Sequence, residues 1–268
     1  MSLKLKFIML ECLAEGAIDM ESVYSVVTLD GRPDLIDEFS KLHSAGWKKF
    51  MREDPVGKKY WNELLSCFPN FQFLLLDNKG KSIACGNSIP FYWDGRENSL
   101  PSGWDGVLEK GMLDYHANKT VNSVSALAIV IDPDYRGHGL SKEMVLEMKR
   151  LVKKNNLHQL VAPVRPSMKS NYPLIPMDEY VRWKNENGEP FDPWIRTHCN
   201  TGAIIISVAS DSMVIPATIK KWEEWTGLKL PASGNYIISD GLVPLEVNNK
   251  TNMAVYREPN VWLMHDLG

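Results

Sequence analysis

The sequence predicts an α/β fold in which helices flank a sheet, and three patterns support this prediction. A run of aliphatic and β-branched residues at 125–131 leads through a glycine-containing turn into a helical pattern. Residues 71–90 have the composition of a β-hairpin that turns at Asn-Lys-Gly, residues 78–80. Two helical patterns, 33–51 and 56–67, precede that hairpin.

The stretch 91–119 shows no clear helical or strand pattern and is longer than most connections. Its aromatic residues, among them Tyr92, Trp93 and Trp104, argue against disorder. We interpret it as an irregular lid or substrate-side insertion, with a surface elaboration as the alternative.

The most informative segment is 125–149. Its strand stops at Asp132, and after Gly139 apolar residues recur at three- and four-residue steps, as on one face of a helix. These residues are Leu140, Met144, Val145, Met148, Leu151 and Val152. The turn before them directs backbone N–H groups, Arg136 and His138 at whatever lies above the helix N-terminus. Unpaired amides and the helix dipole favour an anion there, and a diphosphate fits.

Two other phosphate-binding loops do not match this segment. A P-loop requires Gly-x-x-x-x-Gly-Lys-Ser/Thr, which the chain lacks. A dinucleotide fingerprint requires Gly-x-Gly-x-x-Gly, and Lys142 stands where its third glycine belongs. The remaining alternative is an ordinary tight turn between a core strand and a core helix.

Residues 136–141, Arg-Gly-His-Gly-Leu-Ser, resemble the Arg/Gln-x-x-Gly-x-Gly/Ala signature of the GNAT superfamily of acyl-CoA-dependent N-acyltransferases. The resemblance implies an α/β (α+β) fold with a mixed, mostly antiparallel twisted sheet flanked by helices. It implies that the pyrophosphate of coenzyme A is lined by Arg136, Gly137, His138, Gly139, Leu140 and Ser141. It also implies that the pantetheine arm is lined by Ile129, Val130 and Ile131. Ser141 departs from the usual Gly or Ala, but it is small and its hydroxyl can donate to a phosphate.

The resemblance extends to the next strand and helix. The strand predicted at 159–165 corresponds to one that, in the family, splays from 125–131 and lets the acyl group enter the gap. Asp192 and Pro193 are typical of a helix start and Gly202 of a helix end, and a strand at 203–208 follows.

His198 lies in this helix, at the place where family members carry a Tyr that protonates the departing CoA thiolate. An imidazole can serve as the donor near neutral pH, so we predict His198 as the thiolate acid. Alternatively, His198 is a hydrogen-bonded or surface residue without a catalytic role, and the enzyme works mainly by positioning the amine. We interpret the adjacent Cys199 as a core residue, because nothing basic lies at a recognisable triad spacing.

The remaining segments are predicted from local signals. We interpret 166–190 as an insertion that contains a helix at 177–185. Residues 216–227 begin with proline and end with glycine, which indicates a helix. Residues 241–247 and 253–257 suit a last hairpin.

Several side chains near the end of the chain are candidates for a role. Trp222 and Trp225 share one helix side and are predicted as core. Asp240, Glu246 and Glu258 are candidate bases for an ammonium acceptor, with solvated loop carboxylates as the favoured alternative.

The length and composition fit one domain over residues 1–268. With 268 residues and 44% hydrophobic residues, the chain can bury a large core. We expect a core at about 33–208, insertions at about 91–119 and 166–190, and an elaboration at about 209–268.

The overall charge and the cysteines exclude several classes of protein. A net charge of −3 gives no general attraction to nucleic acid or to an anionic membrane. No apolar run approaches the roughly 18 residues of a membrane span. The four cysteines, Cys12, Cys67, Cys85 and Cys199, form no Cys-x-x-Cys motif, so we expect neither a metal site nor a disulfide scaffold. A cytoplasmic location follows as the simplest expectation.

Together with the resemblance, these observations predict an acyl-CoA-dependent N-acyltransferase. We expect acetyl transfer from acetyl-CoA to a small-molecule or peptide amine in a ternary complex, and a homodimer is compatible with this. One alternative is a CoA-binding sensor without catalysis. Another is an acyltransferase whose donor is a carrier-protein thioester, which a basic helix face could contact. Alternatively, that face is simply the solvated side of an amphipathic helix. Its residues are Lys142, Lys149, Arg150, Lys153 and Lys154.

Overall fold

The computed structural model describes residues 24–267, and within that range nine strands form one sheet. The strand order is β1-β2-β3-β4-β5-β9-β8-β7, and β6 pairs with β9. The strands are β1 (Tyr24–Thr28), β2 (Gln72–Asp77), β3 (Ser82–Phe91), β4 (Ser123–Ile131), β5 (Gln159–Val164), β6 (Ala203–Thr218), β7 (Gly234–Tyr236), β8 (Leu245–Asn248) and β9 (Met253–Asp266). All the pairings are antiparallel except β4 with β5. The predicted mixed, mostly antiparallel sheet is confirmed.

Seven α-helices flank this sheet in the described range. They are α1 (Ile36–Gly46), α2 (Pro55–Cys67), α3 (Trp104–His116), α4 (Leu140–Lys154), α5 (Met177–Tyr180), α6 (Pro193–Asn200) and α7 (Ile219–Thr226). The predicted core face of α4 is confirmed, since all six of its apolar positions are buried. Asp54 caps α2 by accepting from the Gly57 N–H, and Pro55 takes the first helical position.

Residues 91–119 are not an irregular segment, because 13 of them form α3. This helix packs into the core through Trp104, Val107, Leu108 and Met112. Gly106 and Gly111 lie within it and interrupt its helical pattern. In the structure, a Cβ on Gly111 would lie 2.5 Å from Ile89 Cδ1, so the glycine permits close packing of α3 on β3. The prediction was wrong because the glycines serve packing and interrupt the apolar pattern.

The C-terminal part differs from the prediction at three places. Strand β6 continues to Thr218, so Pro216 lies in a strand, and Thr218 caps α7 instead. Pro216 is tolerated because β6 pairs only with β9, which leaves its other edge without a ladder. Helix α5 has four residues rather than nine, and β9 runs on to Asp266 rather than ending at residue 257.

Strands β4 and β5 pair in parallel over three residues only. Ser123–Ser125 face Gln159–Val161, and no pairing follows beyond Ser125. The residues of β4 from 126 to 131 therefore have a partner strand, β3, on one side alone. This divergence agrees with the predicted splay and opens the gap in which the candidate site lies.

Candidate active site

A cavity of about 730 Å³ occupies the gap between β4 and β5. Its walls are residues 126–131 of β4 and residues 162–165 at the end of β5. The segment 44–49 at the end of α1 closes one side, and α6 contributes Trp194 and His198. A volume of this size is within the range of small-molecule and cofactor sites.

The backbone of β4 has hydrogen-bonding groups directed into this gap. The Asp132 N–H donates to the Ile83 carbonyl of the neighbouring chain segment at 2.9 Å. Because N–H groups alternate in direction along a strand, those of Ile131 and Ile129 point to the β5 side, where β5 has diverged. The register also skips Leu127, whose carbonyl accepts from the Trp104 indole N–H at 2.8 Å. Trp104 thereby fixes this irregularity of β4.

The loop at 136–141 forms an open cradle above the N-terminus of α4. Gly137 and Gly139 have φ angles of 82° and 78°, in the left-handed region, and no atom lies within 4 Å of a Cβ built on either. Gly139 is the N-cap residue of α4, and it leaves the first N–H groups of the helix free of a side-chain cap. Arg136 is exposed, and its Nε donates to the Ile131 carbonyl at 3.2 Å.

The predicted loop residues are not equivalent in position. Arg136 and Ser141 line the cavity together with Ile129, Val130 and Ile131. Gly137, His138 and Gly139 are exposed at the turn, and His138 Nδ1 lies 3.3 Å from the Tyr135 carbonyl. The side chain of Leu140 is buried in the core, so only its backbone is available to a ligand.

His198 lines the cavity and is almost completely buried, with 2% of its surface exposed. Its Nδ1 lies 3.1 Å from His265 Nε2. Burial, and then the neighbouring His265, lower the pKa of His198 to about 3, so the ring is neutral at pH 7. Two neutral rings can form this bond with His265 Nε2 as the donor, and His198 then carries its own proton on Nε2.

Two of the three carboxylates predicted as candidate bases line the cavity. Glu258 is buried in β9, where it accepts from Arg165 Nε at 2.9 Å and from the Tyr256 hydroxyl at 2.7 Å. Asp240 lies 3.0 Å from Lys48 Nζ at the same cavity. Glu246 is exposed on β8 and does not line it. The solvated-loop alternative is therefore wrong for Glu258.

Comparison with known proteins identifies the family. No family model matches the chain. The arginine N-acetyltransferase avaD of Aspergillus versicolor is 34% identical over an alignment of 290 positions, gaps included, that takes in 94% of this chain and 99% of that protein. The chain belongs to the GNAT superfamily. It is an acyl-CoA-dependent N-acetyltransferase that uses acetyl-CoA and an amine acceptor.

Two solved structures show the same fold at low sequence identity. The loading GNATL domain of CurA from Lyngbya majuscula has a TM-score of 0.59 and 17% identity, with 91% of this chain and 98% of that chain covered. The GphF GNAT-like decarboxylase in complex with isobutyryl-CoA has a TM-score of 0.56 and 13% identity, with 91% and 100% covered. These likenesses support the fold and nothing beyond it.

Two features of the described part of the chain bear on the predicted CoA contacts. Beyond Ser125, β4 has no partner on the β5 side, and no atom lies within 4 Å of a Cβ built on Gly137 or Gly139. The contacts of β4 and of the loop with CoA stay a prediction. Over residues 24–267, no group of three or more His, Cys, Asp or Glu side chains is arranged to hold a metal ion. No helix in that range is long and apolar enough to cross a membrane.

The sequence analysis did not find a second cavity of about 320 Å³, which lies beside the first between α1 and α2. Its walls include Trp47, Trp61 and Trp104. These tryptophans belong to three separate segments and form no motif, and Trp104 was placed in a loop. The one available signal was the unusual number of tryptophans, nine in 268 residues.

Proposed function

We propose that this GNAT enzyme acetylates arginine, or an amine that carries a guanidinium group, by direct transfer in a ternary complex. Direct acetyl transfer is supported mainly by the gap between β4 and β5, in which the backbone groups of β4 are unpaired and the glycine cradle lies at one end. The acceptor class is supported by the arginine N-acetyltransferase to which the chain is 34% identical over almost the whole length of both.

The residues of the gap have distinct roles in this proposal. The N–H groups of Ile129 and Ile131 bind the pantetheine arm, and the N–H groups of the strand near Ile131 are also assigned to the oxyanion. Arg136, Ser141 and the backbone at 137–140 bind the pyrophosphate. Acetyl-CoA supplies the thioester, and the protein supplies orientation and a dry site.

Proton transfers are assigned to side chains that line the cavity. Asp240 and Glu258 are the carboxylates placed to take the proton of the acceptor ammonium, directly or through water. His198 donates a hydrogen bond from Nε2 to the departing thiolate as a neutral imidazole. With its pKa near 3 it carries no positive charge at pH 7, so we expect it to act by hydrogen bonding.

The basic face of α4 gives little support to a carrier-protein donor. Lys149 Nζ donates to the Thr201 carbonyl at 2.6 Å, which ties α4 to the end of α6. Arg150 forms an ion pair with Glu147 at 2.7 Å. Two of the five predicted basic residues are therefore engaged within the protein.

We propose that the chain acts as one catalytic domain, that it functions in the cytoplasm, and that it forms a homodimer. The cytoplasmic location is supported by Cys67, Cys85 and Cys199, which are unpaired thiols in the described range; Cys12 lies outside it. Light scattering on the purified protein measures the oligomeric state.

Calorimetric titration with acetyl-CoA tests the binding site. The wild type should bind in the micromolar range, and the Gly139→Trp variant should lose binding. A tryptophan at this left-handed position is strained, and it fills the open space of the cradle. An unchanged affinity in a folded Gly139→Trp variant would exclude the cradle as the pyrophosphate site.

A further inference from the structure

The smaller cavity shares lining residues with the larger cavity between β4 and β5. Its volume is about 320 Å³, and it lies between α1 and α2. Ser44, Trp47, Met51 and Trp104 line both cavities. The two cavities are therefore adjacent, and an acceptor bound across this boundary would have its amine in the larger cavity and another part in the smaller one.

The walls of the smaller cavity are strongly aromatic. The ring centroids of Trp47, Trp61 and Trp104 lie 5.7 to 5.9 Å from one another. His43 adds a fourth ring, 5.3 Å from Trp47 and 5.1 Å from Trp61. Trp47 and Trp61 remain partly exposed, so their surfaces are not used up by core packing. Tryptophan faces attract planar cations such as guanidinium.

A pair of acidic side chains lies beside these rings. Asp54 lines the cavity and is 2% exposed, and its Oδ2 accepts from the Gly57 N–H at 2.6 Å. Asp105 Oδ2 accepts from the Val214 N–H at 2.9 Å. The other oxygen of each carboxyl group is buried and receives no N–H or hydroxyl donor. The two groups can hydrogen-bond to each other only through a shared proton, because two carboxylates offer no donor.

This carboxyl pair has no cationic partner within the described range. No Lys or Arg nitrogen there lies within 4.0 Å of Asp54 or Asp105, although fifteen other ion pairs of Lys or Arg occur. Burial, followed for Asp105 by repulsion from Asp54, raises the pKa of Asp54 to about 6 and that of Asp105 to about 8. Near pH 7 the pair therefore holds one proton and one uncompensated negative charge.

Two basic residues, Arg52 and Lys58, also line the cavity, at its exposed side. Arg52 donates to the Ser44 hydroxyl at 3.1 Å, and Lys58 forms an ion pair with Glu53. Glu258 adds to the negative field at Asp105 from the side of β9. An unpaired buried charge is costly, so a cation supplied by a ligand would remove a penalty that the protein carries alone.

We propose that the smaller cavity binds the guanidinium of the acceptor, against the partly exposed rings of Trp47 and Trp61 and beside the Asp54–Asp105 pair. This inference rests on the proposed function and identifies the residues that select its substrate. A guanidinium fits both features, since its flat faces suit the indole rings and its N–H groups suit a carboxylate. The neutral urea of citrulline has the same shape and lacks the charge.

The test compares L-arginine with L-citrulline, and the shared proton determines its design. Replacing either acid with asparagine leaves the other free to ionise, so each single variant keeps one negative charge. Only the double variant, Asp54→Asn with Asp105→Asn, removes the charge. Asparagine also caps helices well, so the start of α2 should persist. Glu246→Gln, on the exposed face of β8, is the matched control.

We expect the wild type, both single variants and Glu246→Gln to bind L-arginine more tightly than L-citrulline, by roughly 30-fold or more, in calorimetry with enzyme saturated with CoA. The double variant should bind the two ligands equally. Trp61→Leu should weaken L-arginine binding, whereas Trp225→Leu, in α7, should not. Melting curves verify that each variant is folded.

The outcomes separate this inference from the proposed function. Equal binding of the two ligands by the wild type overturns the inference, and so does a folded double variant that keeps the preference. If the enzyme acetylates other amines but does not discriminate between arginine and citrulline, the inference fails while acetyl transfer stands. If it binds arginine in the expected pattern but does not acetylate it, the cavity assignment holds and arginine fails as the acceptor.

Discussion

Removing the Arg136 side chain should weaken CoA binding without affecting the binding of a ligand that lacks the pyrophosphate. Arg136 Nε is held by the Ile131 carbonyl at 3.2 Å, which ties the side chain to β4. Its two Nη groups have no hydrogen-bond partner in the described range and remain for the phosphates. A charge-assisted hydrogen bond is worth about 1.5–3 kcal/mol, so Arg136→Ala should raise the Kd for CoA by about 10- to 150-fold.

The assay is calorimetric titration of each variant with CoA and with pantetheine. Arg136 is exposed, so the variant should melt close to the wild type. Lys153→Ala, which removes one exposed positive charge from the far end of α4, should bind both ligands like the wild type. If Arg136→Ala binds CoA with wild-type affinity, or loses CoA and pantetheine affinity equally, the assignment of the loop to the pyrophosphate is refuted.

Three further predictions concern stability. Gly103→Ala should lower the free energy of unfolding by about 2–4 kcal/mol in urea titrations. The φ of 146° at this position suits glycine, and the new Cβ would lie 2.3 Å from Ser212 Cα. A urea unfolding curve with the midpoint and slope of the wild type would contradict this. Because the pKa of His198 is lowered, its contribution to the free energy of unfolding is complete above pH 6.5 and is lost as pH falls toward 3. Between pH 6.5 and 5 the wild type should lose up to about 1.4 kcal/mol of that free energy per pH unit relative to His198→Asn. Parallel plots of unfolding free energy against pH for the two proteins would argue against a neutral buried imidazole. Because the pKa of Asp105 is raised, its contribution to the free energy of unfolding is complete below pH 3.8 and is lost as pH rises toward 8. Asp105→Asn should therefore reduce the loss of stability between pH 6 and 8. An unchanged loss would exclude the shared proton.

The sequence predicted those parts of the site that depend on local signals. The loop at 136–141 and the buried face of α4 could be predicted because glycine, helix periodicity and the end of a strand are read within a few residues. Asp192 was predicted as a helix cap and accepts from the N–H groups of Trp194 and Ile195. The splay of β4 from β5 followed from the family resemblance.

The remainder depends on contacts between distant parts of the chain. Trp104 and Asp105 are brought to the site by α3, whose glycines hid the helical pattern. His265 lies beside His198 because β9 pairs with both β5 and β6, and no turn signal marked that strand beyond residue 257. Burial of a carboxyl pair between α2, α3 and β6 cannot be derived from spacing, since Asp54 and Asp105 belong to separate elements.

Incubation of the enzyme with acetyl-CoA and L-arginine, followed by mass spectrometry and by titration of free thiol, measures directly whether the enzyme acetylates arginine. We expect one acetylated arginine for each CoA thiol released, and loss of both products in Gly139→Trp. Thiol release without acetylated arginine would indicate hydrolysis or another acceptor. Tight binding of acetyl-CoA with no transfer to arginine or to any related guanidinium-bearing amine would contradict the proposed function.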